Sequence, residues 1–99
     1  MAVNHMVWIK FHSGLGEPEI AAHLQALRLL QDRVPGVRSL NLGRNFTDRA
    51  NGFTHGLCVI LDDKPALAAY GPHPYHTEVA AALRRDADLL VLDFEFDAT

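Results

Sequence analysis

The chain has 99 residues, of which 48% are hydrophobic and 21% charged, with a formal net charge of −3. This length predicts a single domain, the composition excludes a disordered chain, and the scattered basic residues with a negative net charge argue against nucleic-acid binding. No signal segment and no apolar run near the ~20 residues that span a bilayer are seen, so a cytoplasmic protein is expected.

The first half of the chain predicts two strands with a helix between them. Residues 3–11 alternate between two faces, as a strand does. Pro18 suits the first turn of a helix, the apolar side chains after it follow helical spacing, and Pro35-Gly36 ends that helix. Residues 37–46 predict a second strand, and the turn-rich segment 47–52 predicts a hairpin connection.

The second half predicts a third strand at 53–61, a short helix at 64–70, a longer helix from 73 to about 87, and a strand at 89–96. The order βαββαβ predicts an α+β, ferredoxin-like fold, a four-stranded antiparallel sheet with its helices on one face. Within this fold, right-handed crossovers lead us to expect that strands one and three are central and parallel to each other.

The sheet face opposite the helices is predicted to be apolar. Trp8, Leu92 and Phe94 would have no cover on that face in a monomer. An uncovered apolar face is typical of an association surface. We therefore expect a homodimer in which two sheets pack face to face as a dimeric α+β barrel.

One short segment concentrates polar rings just before an amphipathic helix: Tyr70-Gly71-Pro72-His73-Pro74-Tyr75-His76. His76 falls on the helix face that carries Val79, Ala80 and Leu83. Burying an unpaired polar group costs roughly 1–3 kcal/mol, so either the fold or a ligand must satisfy this imidazole.

Other polar residues are expected to meet His76 under this helix. If the central strands are parallel, His5 and His55 lie side by side at one end of the sheet, and Asp93 on the last strand reaches the same end. Tyr70 is expected at the rim. Such a chamber between sheet and helices predicts a small-molecule binding site.

Five stretches of the chain also resemble a known family: Val3-Asn4-His5-Met6-Val7, Gly43-Arg44-Asn45, Gly52-Phe53-Thr54-His55-Gly56, Tyr70 with His73-Pro74-Tyr75-His76, and Leu92-Asp93-Phe94. Their combination resembles the stress-responsive A/B barrel family, a group of dimeric α+β barrels, over nearly the whole chain. Most members have no established activity, so the resemblance implies the fold and the homodimer rather than a reaction.

One branch of that family, the polyketide cyclases of the olivetolic acid cyclase type, closes an aromatic ring by intramolecular aldol condensation without a cofactor. Similarity to this branch implies a catalytic pair of Tyr70 and His76, with His5, His55 and Asp93 in supporting positions. The chain departs from the branch at Gly71-Pro72, which replaces a bulkier apolar pair next to Tyr70.

The side-chain chemistry of this pair suits an aldol reaction. A histidine with a pKa near neutrality can remove a proton beside a carbonyl, and a phenol can donate a hydrogen bond to the oxyanion that forms. His76 is therefore the predicted base and Tyr70 the predicted donor. Asp93 and His55 could fix the orientation and tautomer of a neighbouring ring.

Other interpretations of these residues stay open at this point. One alternative is that His5, His55 and Asp93 form a purely structural network, which would make the protein a stress-associated component without catalysis. The same three residues have the composition of a two-histidine, one-carboxylate metal site, but their spacing gives no support, and we predict no metal. His73 is a possible ligand contact, although its place before Pro74 favours a helix start.

Overall fold

A computed structural model describes residues 1–98 of the chain. The strands are β1 (Ala2–Phe11), β2 (Val37–Arg44), β3 (His55–Leu61) and β4 (Ala87–Phe96). The helices are α1 (Glu17–Arg28), α2 (Leu30–Arg33), α3 (Lys64–Tyr70) and α4 (Pro74–Asp86). This order confirms the predicted ferredoxin-like fold class. Among these helices, none is long and apolar enough to cross a membrane.

The first predicted helix is divided into α1 and α2 at Leu29. The Asp32 amide donates to the Leu29 carbonyl at 3.1 Å, which tightens the turn there. The chain then turns at Gly36, whose φ is +89°. A Cβ at this position would lie 2.9 Å from the Cβ of Ala66, so both the backbone conformation and the packing require glycine.

The hairpin between β2 and β3 is longer than the sequence predicted. Asn51 and Gly52 have positive φ values of 52° and 84° and form its turn. The Thr54 amide still donates to the Ile9 carbonyl at 2.8 Å, but regular β3 pairing begins only at His55. The turn therefore occupies residues that the alternation pattern had assigned to strands.

The sheet has the order β2-β3-β1-β4, and every neighbouring pair is antiparallel. The expectation that strands one and three are parallel is therefore wrong. The α1–α2 crossover returns the chain to edge strand β2, and the hairpin then reverses its direction, so that β3 enters between β1 and β2 antiparallel to both. Consequently His5 lies opposite Val59, and His55 lies opposite Ile9.

The two faces of the sheet have different surroundings. The face towards the helices carries the buried core: Val3, Val7, Ile9, Leu57, Val59 and Leu61 from the strands, with Leu27, Leu30, Val79 and Leu83 from the helices. The opposite face carries Trp8, Leu90, Leu92 and Phe94, and Leu92 is 62% exposed. We call this second surface the open face.

Candidate functional site

Two helix-start signals determine where Tyr70 and His76 lie. The Asp63 carboxylate accepts a hydrogen bond from the Ala66 amide at 2.9 Å and begins α3, which ends at Tyr70. The chain turns after Tyr70 and begins α4 a few residues later. The last residue of one helix is thereby brought next to the first turn of the other.

His73 begins α4. Its Nδ1 accepts a hydrogen bond from the Tyr75 amide at 3.1 Å, and Pro74 follows it in the first turn. The interpretation of His73 as a helix-start residue is confirmed. This cap places His76 in the first turn of α4, facing the sheet.

His5 and Asp93 meet across neighbouring strands, as the sequence predicted. They are register partners on β1 and β4, and His5 Nδ1 lies 2.5 Å from Asp93 Oδ1. A carboxylate can only accept, so the Nδ1 of His5 carries the proton. The Asp93 carboxylate thus fixes the tautomer and orientation of the His5 ring, as the carboxylate does in a catalytic triad.

The rings of His5, Tyr70 and His76 lie in a row. The centroid of Tyr70 is 5.3 Å from that of His5 and 4.4 Å from that of His76. Tyr70 is only 1% exposed, so the expectation that it lies at the rim is wrong. Its ring belongs to the core, because α3 packs against β1 and β3 and directs its last side chain inwards.

His76 has the protonation state that a general base requires. Its Nδ1 lies 2.9 Å from the Gly71 carbonyl, which can only accept, so Nδ1 carries the proton and Nε2 keeps its lone pair. Burial lowers the pKa of His76; the hydrogen bond to Gly71 opposes this, and the nearby His5, Arg84 and His73 lower the pKa further. The ring is therefore neutral at pH 7.

Tyr70 has the protonation state that a donor requires. Burial, and secondarily the negative charge of Asp93, raise the pKa of the phenol well above its ordinary value. The hydroxyl therefore stays protonated at every physiological pH. No hydrogen bond joins it to another residue among 1–98, so the O–H can serve a ligand.

These groups line a cavity of about 120 Å³ between the sheet and the helices. Its polar side chains are His5, Tyr70, His76 and Arg84; its apolar walls are Val7, Leu27, Leu30, Leu57, Val79, Ala80, Leu83, Leu89 and Val91. The prediction that His76 shares a face with Val79, Ala80 and Leu83 is confirmed. We call this space the base cavity.

His55 does not reach the base cavity. It lies opposite Ile9, four residues along β1 from His5, which corresponds to about 13 Å. Its Nδ1 donates to Thr54 Oγ1 at 2.9 Å, because the hydroxyl proton of Thr54 is already donated to the Ile9 carbonyl. The expectation that His55 meets His5 and Asp93 is wrong, and the antiparallel direction of β3 is the reason.

Comparisons with known proteins agree with this fold. The family model described as Stress responsive A/B Barrel Domain matches residues 3–96. The chain belongs to this family. A curated relative, an uncharacterised Streptomyces coelicolor protein, is 30% identical over 96 residues, which is 95% of this chain and 99% of the relative.

Solved structures with the same fold include proteins of very different description. The hydroxynitrile lyase from Passiflora edulis has a TM-score of 0.91 at 22% identity, covering 99% of this chain and 95% of that one. A dimeric ferredoxin-like protein of unknown function from Thermobifida fusca has a TM-score of 0.85 at 18% identity, covering 97% and 92%. At these identities the likeness shows the fold of this A/B barrel protein, and its activity is not established.

The metal arrangement considered from the sequence is not assembled in this A/B barrel protein. It required His5, His55 and Asp93 to converge, and only His5 and Asp93 do so. Among the residues that the structure describes, no group of three or more His, Cys, Asp or Glu side chains is placed to hold a metal ion.

A larger cavity, of about 640 Å³, lies at the other end of the helix-facing layer. His55 lines it together with Phe11, Glu17, Arg28 and Arg44. Burial and the charge of Arg44 lower the pKa of His55, and Glu17 opposes them. This cavity also holds a neutral histidine in His55, but no tyrosine hydroxyl lines it, so the smaller base cavity, where His76 lies beside Tyr70, is the better candidate for aldol-type chemistry.

Sequence reasoning missed two contributors to the base cavity. One is the Gly71 carbonyl, which fixes the His76 tautomer and which no side-chain motif could reveal. The other is Arg84, which lies eight residues after His76 on α4 and lines the same cavity. The available signal was helical spacing. Slightly more than two turns of helix separate Arg84 from His76, which places both residues on the same side of α4.

Proposed function

We propose that this A/B barrel protein catalyses aldol-type chemistry, the making or breaking of a carbon–carbon bond beside a carbonyl group in a small molecule. The observation that carries the proposal is the pairing of an unprotonated His76 Nε2 with a protonated Tyr70 hydroxyl in one cavity. Their ring centroids are 4.4 Å apart, so one bound carbonyl group could contact both.

The reaction uses each group in one role. His76 Nε2 removes a proton from the carbon beside the carbonyl, while the Tyr70 O–H donates a hydrogen bond to the oxygen that becomes negative. The enolate then attacks a second carbonyl, and the proton held by His76 is returned to the new alkoxide. The His5–Asp93 pair orients the other edge of the Tyr70 ring. These steps need no cofactor.

Two likenesses support this chemistry. The resemblance to the cyclase-type branch implies Tyr70 and His76 as the catalytic pair, with His5, His55 and Asp93 in supporting positions. The Passiflora edulis neighbour is named a hydroxynitrile lyase, so a protein of this fold can act as a lyase. Ring closure, as in the cyclases, is one form of this aldol reaction.

We further propose that the active form is a homodimer assembled through the open face. Trp8, Leu90, Leu92 and Phe94 make this surface apolar, and such surfaces mark interaction sites. Neighbours of the same fold, including the Thermobifida fusca protein, are described as dimeric. The base cavity lies on the opposite side of the sheet and is built within one protomer.

A second candidate function is a stress-associated binding or structural role without catalysis. The burial of Tyr70 favours it, because a phenol that is 1% exposed already contributes to the core. His5 is likewise satisfied by Asp93. The two functions differ in whether His76 is needed for a reaction or only for packing.

Proton exchange distinguishes them. Enolisation is the first half of an aldol reaction, so the protein should accelerate exchange of the hydrogens beside the carbonyl of 2-pentanone in D₂O, followed by proton NMR. We expect His76→Ala to reduce the catalysed rate by about 10²-fold or more. The rate should hold through neutrality and fall only below the ordinary histidine pKa of 6.5, because a lowered pKa delays protonation of the base.

His12→Ala is the matched control. His12 is an exposed histidine paired with Asp88 and lies outside the base cavity. This variant should exchange at the wild-type rate. If His76→Ala exchanges as fast as His12→Ala, the catalytic proposal fails and the structural role is favoured.

A further inference from the structure

Arg84, an exposed residue of α4, adds a positive charge to the lining of the base cavity. Within residues 1–98, no acidic side chain lines the cavity beside it, and Arg84 forms no ion pair. The carboxylate of Asp93, which contacts the cavity residue His5, is already hydrogen-bonded to that histidine. A guanidinium without a partner at the wall of a cavity is available to a ligand.

The position of Arg84 along α4 sets the spacing between its charge and the base. Eight residues of helix separate His76 from Arg84, or about 12 Å between their backbones. The long arginine side chain covers part of this distance, since Arg84 and His76 line the same cavity. Between the two, Val79, Ala80 and Leu83 form an apolar wall.

We propose that the substrate class is a small oxo-carboxylate, bound with its carbonyl at Tyr70 and His76 and its carboxylate at Arg84. This assignment rests on the proposed function, because it takes the carbonyl to be the reacting group. The short apolar link of such a molecule would lie along Ala80 and Leu83. Arg84 is thus a specificity-determining residue.

The dimensions and charge of the site favour a carboxylate over a phosphate. A cavity of about 120 Å³ holds roughly four water molecules, which limits the ligand to a few carbons. One guanidinium matches one carboxylate in charge and in its planar, two-pronged geometry. A phosphate group brings a charge of about −1.5 to −2 at pH 7, more than Arg84 alone would neutralise.

The test compares 4-oxopentanoate with its neutral amide, 4-oxopentanamide. Chemical-shift titration should give about tenfold tighter binding of the acid to the wild-type protein, the range of a charge-assisted hydrogen bond. Arg84→Gln should remove this preference. Arg85→Gln is the control, because Arg85 lies in the same last turn of α4 but does not line the cavity.

The outcomes separate this inference from the catalytic proposal. His76→Ala should lose proton exchange yet keep the preference for the acid, whereas Arg84→Gln should lose the preference for the acid. Equal binding of acid and amide by the wild-type protein would overturn the inference. So would a preference that survives in Arg84→Gln, or an acid that shows no saturable binding.

Discussion

At the scale of residues, the two tyrosines of the chain have opposite relations to the fold. The Tyr75 hydroxyl donates to the Ala26 carbonyl at 2.9 Å, and the Arg33 guanidinium lies 5.1 Å from the centre of its ring. The Tyr70 hydroxyl has no such structural bond among residues 1–98. Tyr75 therefore joins α4 to α1, whereas the hydroxyl of Tyr70 is free to bind a ligand.

Replacing each tyrosine by phenylalanine should separate stability from activity. Tyr70→Phe keeps the packed ring and removes the donor, so we expect little change in the free energy of unfolding and about a 10²-fold loss of catalysed proton exchange. Tyr75→Phe removes a structural hydrogen bond and should cost about 1 kcal/mol while leaving exchange unchanged. Urea denaturation and the exchange assay measure the two effects. If Tyr70→Phe instead lowers the free energy of unfolding and leaves proton exchange unchanged, Tyr70 is a structural residue.

The residues of the base cavity were predictable to different degrees. His76 was placed correctly because helical spacing puts it above Val79 and Leu83, a local property of α4. Asp93 was placed next to His5 because an edge strand in this topology is antiparallel to its neighbour. The burial of Tyr70 was not predictable, since it depends on how α3 packs against the sheet.

At the scale of elements, α3 determines where the donor lies. This helix has seven residues, too few to be stable alone, and Asp63 supplies the hydrogen bond that begins it. Loss of this cap would loosen α3 and with it the position of Tyr70. The cap is therefore a remote support of the proposed site.

Asp63→Ala should lower the free energy of unfolding by about 1 kcal/mol, the usual cost of losing a helix cap. It should also slow proton exchange, because Tyr70 is held less firmly against His76. Asp63→Asn is the matched variant, since asparagine caps helices as well as aspartate does. It should have the free energy of unfolding and the proton-exchange rate of the wild-type protein. If Asp63→Ala and Asp63→Asn behave alike, the cap does not position Tyr70.

Strand direction was the element-level property that the alternation within a single strand could not supply. Alternating apolar residues show that 55–61 is a strand and which of its faces is buried. The same alternation is expected whether the strand runs parallel or antiparallel to its neighbour. The error had a large consequence: it placed His55 beside His5, when the true register puts it opposite Ile9. Only the path of the α1–α2 crossover to β2, a long-range feature, decides between the two arrangements.

At the scale of the whole molecule, the open face is the main surface that the single chain leaves uncovered. Trp8 and Leu92 lie on neighbouring strands of this face and are 44% and 62% exposed. In the helix-facing layer, by contrast, the helices cover the buried core. This asymmetry was predictable, because apolar residues on both faces of β1 and β4 cannot all be covered by helices on one side.

A charge on the open face should prevent assembly. Light scattering should give the wild-type protein about twice the 11.0 kDa mass of one chain. Leu92→Lys should give the mass of one chain, because burying an unpaired ammonium in an apolar interface is costly. Ala81→Lys, which adds the same charge on an exposed position of α4, should remain dimeric. A wild-type protein of one-chain mass would refute the proposed dimer.

The proposed chemistry depends most on the protonation state of His76, and nitrogen-15 NMR of the imidazole rings reports it directly. We predict that at pH 7 the His76 ring has a protonated Nδ1 and an unprotonated Nε2, and that it takes up a second proton only below the ordinary histidine value of 6.5. A His76 ring that is already doubly protonated at pH 7, or that carries its single proton on Nε2, would contradict the account.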